Sequence, residues 1–345
     1  MATAMSLSRE ANKFYKLETI ADYGHLVKND PSKLALMALN PRYQLYKIRK
    51  KTGGMRHIED PEIRLKVVLQ RTNQFLQAVY YALRPPAVYG FCISTNNDED
   101  RNIIGNAKQH IDHPYMLNID LQDFFHTITR NRVYGIYESH FPSHSHQLTE
   151  LLTSLCCFNM RLPMGSPTSP VLSNFACLDL DAELINFCNS SGITYSRFAD
   201  DLCFSAMHPI GKSEIVFFRN SIKHYNFIIN ENKVKSFDKE DEKMVTGIVV
   251  GSNEISLPVT YLQQLEIEID RYRQVRIAES RFNTGMSLKK LKLFEQELQG
   301  KWNFANMVMP EREEVYNLKE RMENAFEPPE SFESENWLDL PYDSF

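Results

Sequence analysis

The sequence has no run of about 18 consecutive apolar residues, the length that a helix needs to cross a bilayer. Its first nine residues lack the apolar core of a secretory signal. None of its six cysteines belongs to a CxxC pair, and most of them lie in apolar segments. These absences predict a soluble, cytoplasmic protein whose cysteines are buried thiols.

A basic excess is also missing, because the 345 residues have a formal net charge of −5. The acidity is local: residues 311–345 hold eleven Asp or Glu and three Lys or Arg, so 36 basic and 33 acidic residues remain in 1–310. A slightly basic body can bind phosphates, although a solvated helix face explains clustered cations equally well. The cations of a predicted helical hairpin are Arg271, Arg273, Arg276, Arg281, Lys289, Lys290, Lys292 and Lys301.

The length and a hydrophobic content of 43% predict two or three subdomains. Apolar residues at helical spacing predict helices at 1–40 with a break at 29–32, 63–83, 103–110, several stretches up to 155, 171–188, 215–225 and 258–326. Aromatic and β-branched runs predict a hairpin at 43–58, a strand ending at 120, a hairpin at 195–205, a strand at 227–230 and a hairpin at 244–257.

Two adjacent carboxylates, Asp200 and Asp201, lie at the centre of the hairpin predicted at 195–205. Neighbouring anions repel each other, and a fold that keeps them together usually binds a cation such as Mg²⁺. Asp120 offers a third carboxylate, and two Mg²⁺ ions about 3.5–4 Å apart can bind the attacking and leaving oxygens of a phosphoryl transfer. An Asp-Asp pair alone is more often part of a solvated turn, so the neighbouring motifs have to decide between a turn and a metal site.

The order of the motifs resembles the reverse transcriptases, specifically the bacterial retron type, over residues 41–257. The matching fragments are Gly54-Met-Arg56-His-Ile, Gly90-Phe91, Asn118-Ile-Asp120-Leu-Gln-Asp-Phe-Phe125, Leu162-Pro-Met-Gly165-Ser-Pro167, Phe198-Ala-Asp200-Asp201, Asn230-Glu-Asn-Lys233 and Val245-Thr-Gly247. Two elements narrow the resemblance to retron enzymes, the NAxxH pattern from Asn106 to His110 and the VTG pattern at 245–247.

The resemblance implies an α+β right-hand polymerase, with an antiparallel palm sheet backed by helices, a fingers region and a helical thumb. The predicted boundaries are an N-terminal helical segment at 1–40, fingers at 41–115 with 130–160 interleaved, a palm at 116–257, a thumb at 258–326 and an acidic aromatic tail at 327–345.

The resemblance also assigns the chemistry. It implies that Asp120, Asp200 and Asp201 hold two Mg²⁺ ions, with the carbonyl of Leu121 as a further ligand. Lys233 matches a catalytic lysine that protonates the leaving pyrophosphate, although a lysine at a strand end is otherwise simply solvated.

Four residues are implied to bind the incoming nucleotide. Arg56, and with less support Lys51, would reach the triphosphate from the fingers hairpin. Phe125 would exclude a 2′-hydroxyl sterically, unless it is a core aromatic like its neighbour. Gly165 would let the backbone approach the nascent base pair closely.

The retron elements are implied to bind RNA. Asn106 and His110 lie four residues apart on a predicted helix and so share one face, which could contact structured RNA, whereas a lone histidine on a helix is usually packed. The full predicted RNA-binding set is Asn106, His110, Val245, Thr246, Gly247, Arg271, Arg273, Lys289 and Lys290.

Two residues depart from the family pattern. Phe198 replaces the usual tyrosine before the aspartates and keeps the ring without its hydroxyl. Met164 replaces a common glutamine, so an amide contact to the nucleotide is in doubt. We expect chemistry to survive both changes, and fidelity or nucleotide affinity to differ.

The implied function is RNA-directed DNA synthesis in a bacterial cytoplasm. The enzyme would use dNTPs to copy part of a cognate structured noncoding RNA into a branched RNA–DNA hybrid, msDNA, in antiphage defence alongside an effector protein. The acidic tail past Pro328 is the candidate effector or self-association surface. The alternatives are another bacterial defence or group II intron-derived reverse transcriptase, although intron-type maturase and endonuclease domains would have no room after 258, or a non-catalytic RNA-binding module on the same fold.

Overall fold

The computed structural model describes residues 3–49, 53–95, 98, 101–282 and 288–327, without the side chains of 280–282. Lys51 and residues 328–345 therefore lie outside the described residues. The chain divides into two compact units, one formed by residues 1–246 with 250–254 and the other by residues 247–249 with 255–345.

Helices make up most of the first unit. They are α1 Ala4–Tyr15, α2 Ile20–Val27, α3 Pro31–Leu39, α4 Ile63–Leu83, α5 Ile103–Lys108, α6 Phe124–Thr127, α7 Arg130–His140, α8 His146–Cys156, α9 Ser169–Ala176, α10 Leu178–Ser191 and α11 Lys212–His224. Local capping explains several starts: Thr19 forms a capping box with Asp22 at α2, and Asp30 caps α3 in front of Pro31.

The strands form three sheets. They are β1 Tyr43–Arg49, β2 Met55–Pro61, β3 Tyr115–Asp120, β4 Ile193–Phe198, β5 Asp201–Ala206, β6 Lys235–Phe237, β7 Lys243–Val245, β8 Ile248–Val250 and β9 Ile255–Ser256. The hairpin of β1 and β2 stands alone, the central sheet has the order β4-β5-β3-β6, and the three last strands form a small sheet in the order β7-β8-β9. The three strand pairs of the central sheet are all antiparallel.

A single hydrophobic core supports the central sheet. Leu117 and Ile119 of β3, Leu202 and Phe204 of β5, and helices α4, α7, α8, α9 and α10 all contribute to it. Helix α10 packs on β4, and α1 packs along α4. The six cysteines are free thiols, five buried and Cys92 partly buried, as the sequence predicts.

Besides residues of β8 and β9, the described part of the second unit has three helices, α12 Val259–Phe282, α13 Leu288–Val308 and α14 Glu313–Phe326. Its core is formed by Leu265, Ile269, Tyr272, Leu291, Leu298, Leu318, Met322 and Ala325. No described helix is long and apolar enough to span a membrane.

Three predicted elements differ from the structure. The helix expected at 171–188 is two helices that meet at Cys177, and the hairpin expected at 244–257 is interrupted at residues 246 and 247, which have positive φ angles. The prediction of a strand at 227–230 is wrong. Ile229 makes one isolated bridge with Leu121, and a 3₁₀ turn follows at Glu231–Lys233. The strand of this region, β6, begins only at Lys235. The fingers, palm and thumb boundaries stay a prediction.

Candidate active site

Three carboxylates meet at one end of the central sheet. Strands β3 and β5 pair so that Asp120 lies directly opposite Asp201. Asp200 occupies the two-residue turn between β4 and β5, and its carbonyl accepts a hydrogen bond of 2.9 Å from the Leu121 N–H. Residues eighty positions apart in the chain therefore share one site, with Leu121 beside them.

Two of these acids, Asp200 and Asp201, have a raised pKa. Desolvation by neighbouring atoms, followed by the charges of Asp200 and Asp120, raises the pKa of Asp201 to about 7. Burial also raises the pKa of Asp200, whereas its own backbone N–H and the charges of Lys233 and Arg56 act to lower it. Because residue 201 is exposed to solvent on one side, water screens part of this repulsion. The cluster favours a bound cation.

Lys233 and Asn230 contact the third acid. The Lys233 ammonium lies 2.7 Å from Oδ2 of Asp120, and the Asn230 side-chain amide donates to Oδ1 at 3.0 Å. The hydrogen bond to Asp120 raises the pKa of Lys233. The lysine side chain is 59% exposed, so it can move. In the part of the chain that the structure describes, no group of three or more His, Cys, Asp or Glu side chains is arranged closely enough to hold a metal ion as it stands.

The chemistry of the donors nevertheless fits a divalent ion. Carboxylate oxygens are the ligands that Mg²⁺ prefers, and a cation would relieve the repulsion that raises the pKa of Asp201. Asp120, Asp200 and Asp201 are the residues that would hold it. The ligand role of the Leu121 carbonyl stays a prediction.

A buried ion pair supports the turn that carries Asp200. Arg197, in β4, is fully buried, and its guanidinium contacts both carboxylate oxygens of Asp181 at 2.8 and 2.7 Å. The same guanidinium donates to the carbonyl of Ala199 at 3.1 Å. Ala199 has a φ of 58°, a left-handed conformation that costs a non-glycine residue roughly 1 kcal/mol. Arg197 thus holds the strained residue next to Asp200.

The segment around Gly90 braces the same turn from one side. Residues 87–89 run beside β4, with the Arg197 N–H donating to the Ala87 carbonyl at 2.8 Å and the Tyr89 N–H to the Arg197 carbonyl at 2.9 Å. A Cβ atom at Gly90 would lie only 2.5 Å from the amide nitrogen of Ala199. Only glycine allows the two backbones to approach this closely.

The structure describes three of the four predicted nucleotide-binding residues, Arg56, Phe125 and Gly165. Arg56 is exposed on β2, and its charge is one of those acting on Asp200. Phe125, in α6, is half-buried, and its ring lies 6.0 Å from that of Phe91. Phe124 is a buried core aromatic, as expected. These positions suit nucleotide contacts, and their roles stay predictions.

Gly165 is required for a reason that the sequence does not reveal. Its φ is +132°, and a Cβ atom there would lie 2.8 Å from the Glu59 carbonyl oxygen. The glycine therefore allows the loop at 162–166 to pack against β2, whatever it contacts in a complex. Phe198 lies opposite Asp201 across the β4–β5 hairpin.

The structure corrects the prediction that Asn106 and His110 contact RNA directly. Asn106 is 1% exposed and His110 is 0% exposed. The two ring nitrogens of His110 each lie 2.6 Å from a serine hydroxyl, Ser205 in β5 and Ser196 in β4. Burial of this degree leaves no side-chain surface for RNA, so any effect of these residues on RNA use has to act through the elements that they hold together.

The other predicted RNA-binding residues divide by exposure. Val245 is buried at 1% exposure, which excludes a direct side-chain contact in this arrangement, while Thr246 is half-buried and Gly247 is exposed. The four predicted RNA-binding residues of the second unit are all exposed: Arg271, Arg273, Lys289 and Lys290. Two other cations of the predicted cluster form ion pairs, Arg276 with Glu295 and Lys301 with Glu268 and Glu297.

Sequence reasoning missed several residues of the site. Arg197 and Asp181 are charges within apolar segments, a signal that each needs a buried partner, although the sequence does not say which. Asn230 lay in a matching motif without an assigned role. Glu59 and Arg161, which form a salt bridge of 2.8 Å, carry no comparable signal.

Comparison with known proteins agrees with this geometry. Residues 48–262 match the family described as reverse transcriptase (RNA-dependent DNA polymerase). The chain therefore belongs to the reverse transcriptases, and its antiparallel sheet and helices are those of an α+β right-hand polymerase.

The relatives narrow the family. The chain is 29% identical to the retron Ec86 reverse transcriptase of Escherichia coli over 235 residues, which cover 65% of this chain and 68% of that protein. It is 30% identical to the retron Ec83 reverse transcriptase of the same species over 249 residues, covering 67% and 73%. It is a retron-type reverse transcriptase, an RNA-directed DNA polymerase.

The similarity to a solved structure is weak. Telomerase from Candida albicans, in a complex with a fragment of telomeric RNA, has a TM-score of 0.46 and 10% identity, over 83% of this chain and 63% of that one.

Proposed function

We propose that this reverse transcriptase copies part of a cognate structured noncoding RNA into a branched RNA–DNA hybrid, msDNA. The observation that carries the proposal is the meeting of Asp120, Asp200 and Asp201 at one end of the sheet, with the pKa of Asp201 raised to about 7. Such a cluster suits two Mg²⁺ ions, which when bound would activate the primer hydroxyl and stabilise charge on the leaving group.

The chain's own residues position the reactants. The priming hydroxyl would attack the α-phosphorus of a dNTP, its oxygen forming the new bond while the bond to pyrophosphate breaks. Arg56 would bind the triphosphate, and the ring of Phe125 would lie under the sugar. The exposed Lys233 would leave Asp120 and donate a proton to the pyrophosphate. In the retron reaction the first primer is an internal 2′-hydroxyl of the RNA.

The proposed biological setting is a retron. The relatives are named for retrons. The resemblance to that family implies a cognate noncoding RNA as template and a role in antiphage defence in a bacterial cytoplasm, together with an effector protein. The exposed cations of the second unit are candidates for binding RNA phosphates. The acidic aromatic segment 328–345 is our candidate contact for the effector.

Replacing Asp120 with alanine tests the proposal. The Asp120→Ala variant should lose DNA synthesis on a primed RNA template by at least about a thousandfold, because the cluster loses a ligand. RNA binding, measured by gel shift, should stay within about twofold, since no RNA contact is assigned to this carboxylate.

The control is Asp179→Ala, which removes an exposed aspartate at the start of α10 in the same unit. It should synthesise DNA like the wild type. Retained synthesis by Asp120→Ala would refute the assignment of the active site. Sequencing the nucleic acid that copurifies with the wild type would show whether a branched hybrid is made.

A further inference from the structure

Glu59 connects the fingers hairpin to the loop at 162–166. Its backbone N–H donates to the Met164 carbonyl at 2.7 Å, and its carboxylate accepts from the Met164 N–H at 3.2 Å. Main chain and side chain of one residue thus hold Met164 from both directions. A Cβ atom at Gly165 would touch the Glu59 carbonyl oxygen, so the loop lies directly on the strand.

A second residue fixes the Glu59 carboxylate. Arg161 donates to both oxygens, at 2.8 and 2.9 Å, in the paired geometry that makes such contacts strong. The Glu59 side chain is 8% exposed and that of Arg161 is 25% exposed, so water competes little for the carboxylate. Burial raises the pKa of Glu59, but the Arg161 guanidinium and the Met164 N–H outweigh it and the net shift is downward, so the carboxylate stays ionised.

Arg161 is itself held by its neighbours. It exchanges backbone hydrogen bonds with Phe158, at 2.9 and 3.2 Å, and the next residue, Leu162, donates to the Ile128 carbonyl at 3.0 Å. These backbone hydrogen bonds hold Arg161 in place. Its contact with the Glu59 carboxylate then fixes the position of β2 relative to the loop.

Three of the four predicted nucleotide-binding residues lie next to residues of this pair or to residues that contact it. Arg56 precedes Glu59 by three residues on β2, about 10 Å along a strand. Gly165 follows Met164 directly, and His126, the neighbour of Phe125, places its Nε2 3.4 Å from the Glu59 carboxylate. Arg56, Gly165 and Phe125, the predicted contacts to the triphosphate, the base pair and the sugar, belong to three separate segments. The Glu59–Arg161 pair connects these segments.

We propose that Glu59 is a positioning residue for the incoming nucleotide and that Arg161 is its partner. The inference rests on the proposed function, because it assumes that Arg56, Gly165 and Phe125 contact a dNTP. The carboxylate cluster is held separately, by Arg197 and the packing around Gly90. Loss of the Glu59–Arg161 pair should therefore weaken nucleotide binding while the chemical step continues.

The test is Glu59→Gln in single-turnover incorporation of one dNTP, which gives the nucleotide Kd and the rate constant separately. Glutamine keeps the size and one acceptor but removes the charge that pairs with Arg161. The Kd should rise about ten- to hundredfold, the cost of losing a charged hydrogen bond, while the maximal rate stays within about threefold.

The matched control is Asp60→Asn on the same strand. Asp60 forms an ion pair of 2.7 Å with Lys66 of α4 and makes no hydrogen bond with the loop, so this variant should bind dNTP like the wild type. Arg161→Lys, which keeps the charge but cannot make the paired contact, should also raise Kd; it replaces Glu59→Gln if that variant does not fold.

Three outcomes decide the matter. A raised Kd in Glu59→Gln and Arg161→Lys alone supports the proposal. Equal behaviour of Glu59→Gln and Asp60→Asn, or a reduced rate with an unchanged Kd, overturns it while leaving the polymerase intact. A wild-type chain that incorporates no nucleotide at all overturns the proposed function and this inference together.

Discussion

Replacing Arg197 with methionine should reveal how strongly the buried ion pair supports the turn that carries Asp200. The guanidinium is fully buried and contacts both oxygens of Asp181, the Asn174 side-chain oxygen at 3.1 Å and the Ala199 carbonyl at 3.1 Å. Methionine has a similar length and no charge. The Arg197→Met variant therefore removes all of these contacts with little change in volume.

The expected loss follows from the partner that remains. Asp181 is 0% exposed, and among the residues that the structure describes its remaining side-chain partner without Arg197 is the Tyr195 hydroxyl at 2.9 Å. Leaving one charge of a buried pair without its partner typically costs about 3–5 kcal/mol. For a unit of this size, such a loss corresponds to a decrease in Tm of roughly 6–20 °C.

Thermal unfolding followed by circular dichroism measures the effect. Arg219→Met is the control, because Arg219 pairs with Glu231 on the surface, with 36% and 63% exposure, where an ion pair contributes at most about 1 kcal/mol. The double variant Asp181→Asn/Arg197→Met should recover more than half of the loss, since asparagine still accepts from Tyr195 without a charge. A Tm for Arg197→Met equal to that of the control, or no recovery in the double variant, would contradict this reasoning.

Two further predictions concern the sugar and the pH. Phe125→Ala should incorporate ribonucleotides about tenfold or more better relative to dNTPs, because the ring no longer excludes a 2′-hydroxyl; unchanged selectivity in single-nucleotide incorporation would make Phe125 a packing residue. Burial lowers the pKa of His110 to about 3. Below about pH 6.5 the imidazole in the unfolded chain therefore binds a proton that the folded chain does not bind. Because of this difference, the free energy of unfolding should fall by about 2 kcal/mol as the pH is lowered from 7 to 5. In the His110→Asn variant, the free energy of unfolding measured with urea should lose this part of its pH dependence. An identical pH dependence in the variant and the wild type would show that His110 does not cause it.

Local patterns predicted most elements correctly. The hairpin around Gly53 and Gly54, the helix at 63–83 and the hairpin with Asp200 at its tip each depend on signals within a few residues: turn glycines, helical periodicity and β-branched runs. The meeting of Asp120 with Asp201 required the family resemblance, because nothing in a single sequence states which strands pair.

Non-local contacts explain the failures. Residues 227–230 have the composition of a strand, but the carbonyl of Ile228 accepts from Gln122 and the N–H of Asn230 donates to the Asp120 carbonyl, so they wrap around the end of β3. His110 has the polarity of a surface residue, yet serines 86 and 95 positions away provide its hydrogen bonds. No local pattern could indicate either partner.

The close approach of Gly90 to Ala199 has a consequence for a polymerase that moves along its template. On that flank two main chains touch, so the turn that carries Asp200 has no room to shift toward residue 90 as the product advances by one nucleotide. Residues 44–49 and 55–57 of the β1–β2 hairpin are all exposed to solvent, so we expect any movement that accompanies translocation at this hairpin and not at the turn.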